Sequence, residues 1–173
     1  MENNLLLHTC CAICLLNFLN SLKDNFKIIL FYYNPNIHPF QEYEKRLKAI
    51  EKISRLKNLD LIIPLYTPIE FLNKTKEYRK EKEGGKRCEI CFQIRIEKTA
   101  QFAKENNFLY FSTTLITSPQ KDKNLIDLLA NKIAKEKNIN YFTLKEISFI
   151  KKEEIKKLDI YSQKYCGCIY SIY

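Results

Sequence analysis

The chain has 173 residues, 46% hydrophobic and 28% charged, which suits one globular domain and argues against disorder. Its glycines are Gly84, Gly85 and Gly167, so a G-x-G-x-x-G dinucleotide turn is excluded, and Gly84-Gly85-Lys86 lacks P-loop spacing. The formal charge of +9 favours polyanions such as tRNA, but an A/T-rich codon bias also explains abundant Lys, Asn and Ile beside five Arg. No apolar run approaches the roughly 18 residues of a membrane span. Met1 to Asn4 carry no basic leader segment, and Leu5-Leu6-Leu7 is too short for a signal core. The expectation is a single cytoplasmic domain over 1–173, with no membrane partner.

In chain order, strand and helix signals alternate. Leu5 to Leu7 read as a short buried strand and 12–23 as a helix. Lys27 to Tyr33 form a second strand, stopped by Asn34-Pro35. Residues 40–57 have helical periodicity, with Leu47, Ile50 and Leu56 assigned to one apolar side. Leu61 to Ile63 are a third strand, and 68–82 a polar helix broken by Gly84-Gly85. A helix over 89–106 places Phe92, Ile96, Ala100 and Ala103 near core spacing. Leu109 to Ser112 are a fourth strand, 113–120 a loop, 122–137 a helix and Tyr141 to Leu144 a fifth strand. The predicted fold is a three-layer α/β domain with a mainly parallel five-stranded sheet. Such sheets bind ligands beyond their strand carboxyl ends. Three unusual segments follow strands there: His8 to Cys11, Asn34 to Pro39 and Thr113 to Pro119.

Seven cysteines fall in three groups: Cys10, Cys11 and Cys14; Cys88 and Cys91; Cys166 and Cys168. The odd number and the clustering favour metal or redox chemistry over a disulfide scaffold. Cys10 and Cys11 sit where a strand turns into a helix, and Cys88-x-x-Cys91 opens another; helix N-termini stabilise thiolates. Four such thiolates suit a tetrahedral sulfur-ligated metal or an iron–sulfur cluster. Adjacent cysteines fit a zinc knuckle poorly, so the cluster is preferred. Cys14 reads equally as a ligand or as a small buried hydrophobe. Cys166-Gly167-Cys168 is spaced for a small-ring, easily reduced disulfide, with glycine supplying the backbone freedom. His8 reads as a satisfied core histidine and His38 as turn packing. Glu42, Tyr43 and Arg46 read as a solvated helix face. Ser118 and Lys121 read as a phosphate site or a helix cap.

These residues carry a resemblance. LLLHTCCAIC (5–14), FYYNPNIHPFQEYEKR (31–46), RCEICFQIRIEKTAQFA (87–103), FSTTLITSPQK (111–121) and YCGCIYS (165–171) occur in order over most of the chain. The chain resembles the QueH-type epoxyqueuosine reductases, which complete tRNA queuosine synthesis. The resemblance implies a Rossmann-like fold related to HUP and PP-loop domains. It implies a [4Fe–4S] cluster on Cys10, Cys11, Cys88 and Cys91, a redox-active disulfide at Cys166 and Cys168, and a second iron near Cys10, Cys11 and Cys14. The implied reaction reduces epoxyqueuosine to queuosine at the wobble position of tRNA, with an electron donor as further partner. His8, His38 and Tyr43 are candidate proton donors. Relative to the resemblance, Ile13 replaces a usual proline, and 149–161 is shorter than usual. Two rivals are a structural zinc protein that binds RNA without redox activity, and an ATP-dependent tRNA thiolase. Against the thiolase, Thr9 to Ala12 contain no glycine for a pyrophosphate loop.

Overall fold

A computed structural model describes residues 3–172; Met1 and Glu2 of the stretch read for a leader, and Tyr173, lie outside the described residues. Five parallel strands form one sheet in the order β3-β2-β1-β4-β5. They are β1 (Asn4–His8), β2 (Lys27–Phe31), β3 (Asp60–Ile62), β4 (Tyr110–Thr113) and β5 (Asn140–Tyr141). The helices are α1 (Ala12–Ser21), α2 (Phe40–Lys57), α3 (Pro68–Thr75), α4 (Lys86–Glu105), α5 (Lys123–Lys137) and α6 (Lys152–Leu158).

The central strand explains the sheet. Leu5, Leu6 and Leu7 are fully buried, as a strand covered on both faces requires. Their register pairs Leu7 with Leu30 on one side and with Ser112 on the other. His8 therefore sits opposite Phe31 and Thr113 at the carboxyl ends of three neighbouring strands. The chain reverses direction of its strand order at β1, so the segments after β1, β2 and β4 meet there.

The predicted elements differ from the observed ones in identifiable ways. Leu56 is more than half exposed; the buried side of α2 is Tyr43, Arg46, Ala49, Ile50 and Ile53. The polar helix expected over 68–82 ends at Thr75 and tightens into a 3₁₀ turn, Lys76–Tyr78. Arg87 explains this end, because its guanidinium takes the carbonyls of Tyr78, Arg79 and Glu81. Helix α4 starts three residues early, at Lys86. The fifth strand is two residues long, and Phe142 packs edge-on against Phe18 and Phe26 instead of extending it. The helix α6 in the tail was not expected.

Candidate functional site

Each cysteine group is delivered by a different element. Beyond β1, Cys11 caps α1, its Sγ accepting the Cys14 N–H at 3.4 Å. The Cys10 and Cys11 sulfurs lie 4.0 Å apart. Cys10, Cys11 and Cys14 offer ligand atoms all within 4.8 Å of one another, and all three are buried. Cys14, open between two readings in sequence, thus faces the other two. The hydroxyl of Thr114, which follows β4, accepts the Cys10 N–H at 3.2 Å and lies 3.5 Å from its sulfur. The Cys10 thiol is held well below its ordinary range, chiefly by the sulfurs of Cys11 and Cys14, with Lys121 adding positive charge. The Cys10 sulfur in turn pushes Cys11 up to about 12, and the sulfurs of Cys10 and Cys11 raise Cys14. One thiolate in this triad suppresses ionisation of its neighbours, a conflict that a cation resolves.

The second group stands at the start of α4. Gly84 adopts φ +90°, and its N–H donates to Cys88 Sγ at 3.2 Å. Cys91 lies one turn further on, and Arg95 Nη2 donates to its sulfur at 3.2 Å while Nε takes the Cys91 carbonyl at 3.0 Å. Burial pushes the Cys91 thiol up. The soft sulfur donors of Cys88 and Cys91 are of the type an iron–sulfur cluster takes, and the described cysteines within metal-binding separation of one another are Cys10, Cys11 and Cys14.

Cys88 and Cys91 line a cavity of about 60 Å³ together with Cys166 and Cys168. Cys10 and Cys14 line a neighbouring cavity of about 190 Å³. Asn36, Arg95, Gln120, Lys121 and Cys166 belong to both walls, so the two spaces adjoin. Among the described residues, the group of three potential ligands at metal-binding separation is Cys10, Cys11 and Cys14; Cys88 and Cys91 face the adjoining space.

All seven cysteines are free thiols. Cys166 Sγ lies 3.2 Å from Ser171 Oγ and accepts the Cys168 N–H at 3.4 Å. The neighbouring Cys168 thiol, then the Ser171 hydroxyl and the Cys168 amide, bring Cys166 down to about 5. Cys168 is raised in return. One thiol of the pair is thus ionised at neutral pH and the other protonated, the arrangement thiol–disulfide exchange requires. Gly167 has φ +95°, so the turn between the two cysteines uses the left-handed backbone that glycine adopts without strain.

The weaker candidates resolve as follows. His8 is fully buried, with Nε2 donating to the Tyr33 carbonyl at 3.1 Å and Nδ1 accepting the Thr113 hydroxyl at 2.8 Å. Burial, then Arg95, lower its pKa to about 4, so it is a neutral core histidine. His38 Nδ1 bonds the Asn36 carbonyl at 3.0 Å. Tyr43 is packed between Tyr32 and Tyr66. None of the three lines either cavity. The solvated-face reading of Glu42, Tyr43 and Arg46 is overturned, since all three are buried, Glu42 and Arg46 against the C-terminal tail and Tyr43 among Tyr32, Phe40 and Tyr66. Ser118 and Lys121 line the Cys10 cavity, and Lys121 Nζ contacts Ser118 Oγ at 3.3 Å. Capping of α5 falls to Asp122 instead, whose carboxylate accepts the Leu125 N–H at 3.1 Å.

Sequence reasoning placed Asn36 at the rim only as part of the Asn34 to Pro39 segment and missed Glu83, Arg87, Gln120 and Arg95 in these walls. A signal was present for two of them: of the five arginines in a lysine-rich chain, Arg46, Arg87 and Arg95 are buried to 3% exposure. A planar fork of donors is the side chain that burial of a cation demands.

Comparison with known proteins identifies the family. A family model described as "Epoxyqueuosine reductase QueH" matches residues 5–173. A protein of that name from Dehalococcoides mccartyi is 37% identical, covering 100% of this chain and 94% of the relative. Another, from Thermotoga maritima, is 36% identical over 96% of this chain and 89% of its own length. A third, from Helicobacter pylori, is 34% identical over 97% of this chain but 49% of itself. Among solved structures, the U34-tRNA thiolase NcsA from Methanococcus maripaludis, with its [4Fe-4S] cluster, superposes at TM-score 0.54 and 15% identity. That match covers 100% of this chain and 63% of the thiolase, and it bears on the fold alone, a layered α/β structure. The near-full-length match at over one-third identity places the chain in a family: it belongs to the epoxyqueuosine reductases of the QueH type.

Proposed function

We propose that Cys166 and Cys168 supply the two electrons with which this chain, an oxidoreductase of the QueH family, reduces epoxyqueuosine to queuosine at the wobble position of tRNA. The observation that carries the reading is the shared cavity of Cys88, Cys91, Cys166 and Cys168, with an ionised thiol at Cys166. In the overall reaction, both C–O bonds of the epoxide break and a C=C bond forms. The oxygen leaves as water with two protons, one from the Cys168 thiol and one from solvent or a neighbouring acid, and an S–S bond joins Cys166 to Cys168. An external two-electron donor then returns the pair to dithiol.

In this reading Cys10, Cys11, Cys88 and Cys91 hold a [4Fe–4S] cluster, and a second iron lies near Cys10, Cys11 and Cys14. When bound, these groups supply one-electron transfer and a Lewis acid for oxygen. The protein's own residues do the rest. Arg95 steadies the Cys91 thiolate. Lys121 lies in both walls and its charge favours thiolate at Cys10 and Cys166. Glu83 lines the cavity beside the pair, and the negative charge of Cys166 raises its carboxyl. It replaces His8, His38 and Tyr43 as the proton donor this reading favours. Among the described residues no helix is long and apolar enough to cross a membrane.

Anaerobically prepared Cys88→Ser and Cys91→Ser variants are expected to lose most bound iron and sulfide. Cys166→Ser and Cys168→Ser are expected to keep both and to stop after the stored electrons are spent. Full iron content in all four variants of the cluster cysteines, or zinc in its place, would overturn the cofactor assignment. Normal multiple turnover in the Cys166 and Cys168 variants would remove the pair from the reaction.

A further inference from the structure

Arg46 stands in the second turn of α2 with 3% of its surface exposed. Its guanidinium spends three N–H groups on three oxygens. Nε donates to Glu42 Oε1 at 2.8 Å, Nη2 to the Tyr165 carbonyl at 2.8 Å, and Nη1 to the Cys166 carbonyl at 3.1 Å. The other oxygen of Glu42 accepts the Tyr161 hydroxyl at 2.6 Å. The guanidinium also lies 5.5 Å from the centre of the Tyr165 ring. Two residues on, a Cβ at Gly167 would stand 3.1 Å from Arg46 Nη1 and 3.0 Å from Ile37, so the tail backbone is seated directly on the arginine. The Gly167 carbonyl accepts the His38 N–H at 2.8 Å, and Cys168 pairs with Ile37 in an antiparallel bridge.

We infer that Arg46 is a positioning residue for the electron-donating pair: with Glu42 and Tyr161 behind it, it docks the Cys166-Gly167-Cys168 segment against the cavity wall. The inference rests on the reading of that pair as the electron source. The two carbonyls it holds flank the Cys166 N–H and Cα, so the fork fixes the peptide planes that aim the Cys166 side chain. Arg46 and Cys166 line the same cavity as Cys10. Glu42 neutralises Arg46 and sets its orientation; Tyr161 sets Glu42. A lysine cannot replace this fork, because a single ammonium cannot reach three oxygens in separate directions.

The test uses the anaerobically prepared holoenzyme carrying Arg46→Met, Arg46→Lys or Tyr161→Phe. Three quantities are read: bound iron and sulfide, multiple turnover on epoxyqueuosine-containing tRNA, and alkylation rates of Cys166 and Cys168 by peptide mass spectrometry. Both Arg46 variants are expected to keep their iron and sulfide. They are expected to alkylate the pair about tenfold faster and to lose about tenfold in turnover, since small misplacements cost on that order. Arg46→Lys, which keeps the charge and the stem, is expected not to rescue. Tyr161→Phe removes one partly buried hydrogen bond and leaves the core intact, so about a two- to threefold change is expected. Wild-type alkylation and turnover in Arg46→Lys, or in Tyr161→Phe together with a folded Arg46→Met, would overturn the docking role. Normal turnover in Cys166→Ser and Cys168→Ser would instead overturn the electron-source reading beneath it, whatever the alkylation rates show.

Discussion

At the scale of single residues, burial and neighbours decide which groups can react. Cys166, brought down to about 5, is the thiolate of its pair above that pH. Its alkylation rate is therefore expected to stay nearly flat from pH 8 to about 6, whereas an ordinary thiol slows about tenfold per pH unit below its pKa. Peptide mass spectrometry after timed iodoacetamide treatment measures this, and a tenfold loss per unit over that range would contradict it. His8 illustrates the opposite case, a group silenced by its surroundings. Its ring falls to about 4 in the fold from 6.5 in a free chain, so between those values the unfolded state binds more protons. Stability from this site is full above pH 6.5 and is lost as pH falls towards 4, by about 2 kcal/mol at pH 5. Denaturant midpoints at pH 7 and pH 5 are expected to differ accordingly, and His8→Gln is expected to shrink that difference.

At the scale of elements, the sheet centre and the helix starts carry the site. Leu6 is fully buried on β1 and pairs with Ile29 and Phe111. Leu6→Ala removes packing atoms from both sides of the strand and is expected to cost about 2–5 kcal/mol in urea unfolding. Because β1 delivers Cys10 and Cys11, bound iron is expected to fall with it. The helix starts were legible: Cys11 at the head of α1 and Cys88-x-x-Cys91 at the head of α4 stand where the sequence places them. The face of α2 was not. Its charges suggest solvent, yet Glu42 and Arg46 are covered by a tail more than a hundred residues away. Periodicity reports where apolar residues recur and is blind to a buried ion pair satisfied by distant carbonyls.

At the scale of the whole molecule, the net charge of +9 bears on the substrate. Phosphate contacts release counterions, so tRNA affinity is expected to fall steeply as salt rises from 50 to 200 mM, by at least tenfold if a few phosphates are neutralised. Filter binding across that range checks this. Salt-independent binding, or equal turnover of the free nucleoside, would argue that the protein does not grip the RNA backbone.

Local pattern alone was enough to determine the alternating strands and helices, the parallel sheet and the three cysteine groups. Short apolar runs, turn residues and cysteine spacing all act within a few residues of one another. The QueH resemblance was legible for the same reason, being written in contiguous blocks. Tertiary structure alone decided that Cys14 faces Cys10 and Cys11, that Arg95 and Lys121 sit in the walls of both cavities, and that Arg46 holds the tail. Those outcomes depend on which strand ends the crossovers bring together at β1 and on where the last dozen residues return. Such long-range closures leave no periodic trace in the residues that make them.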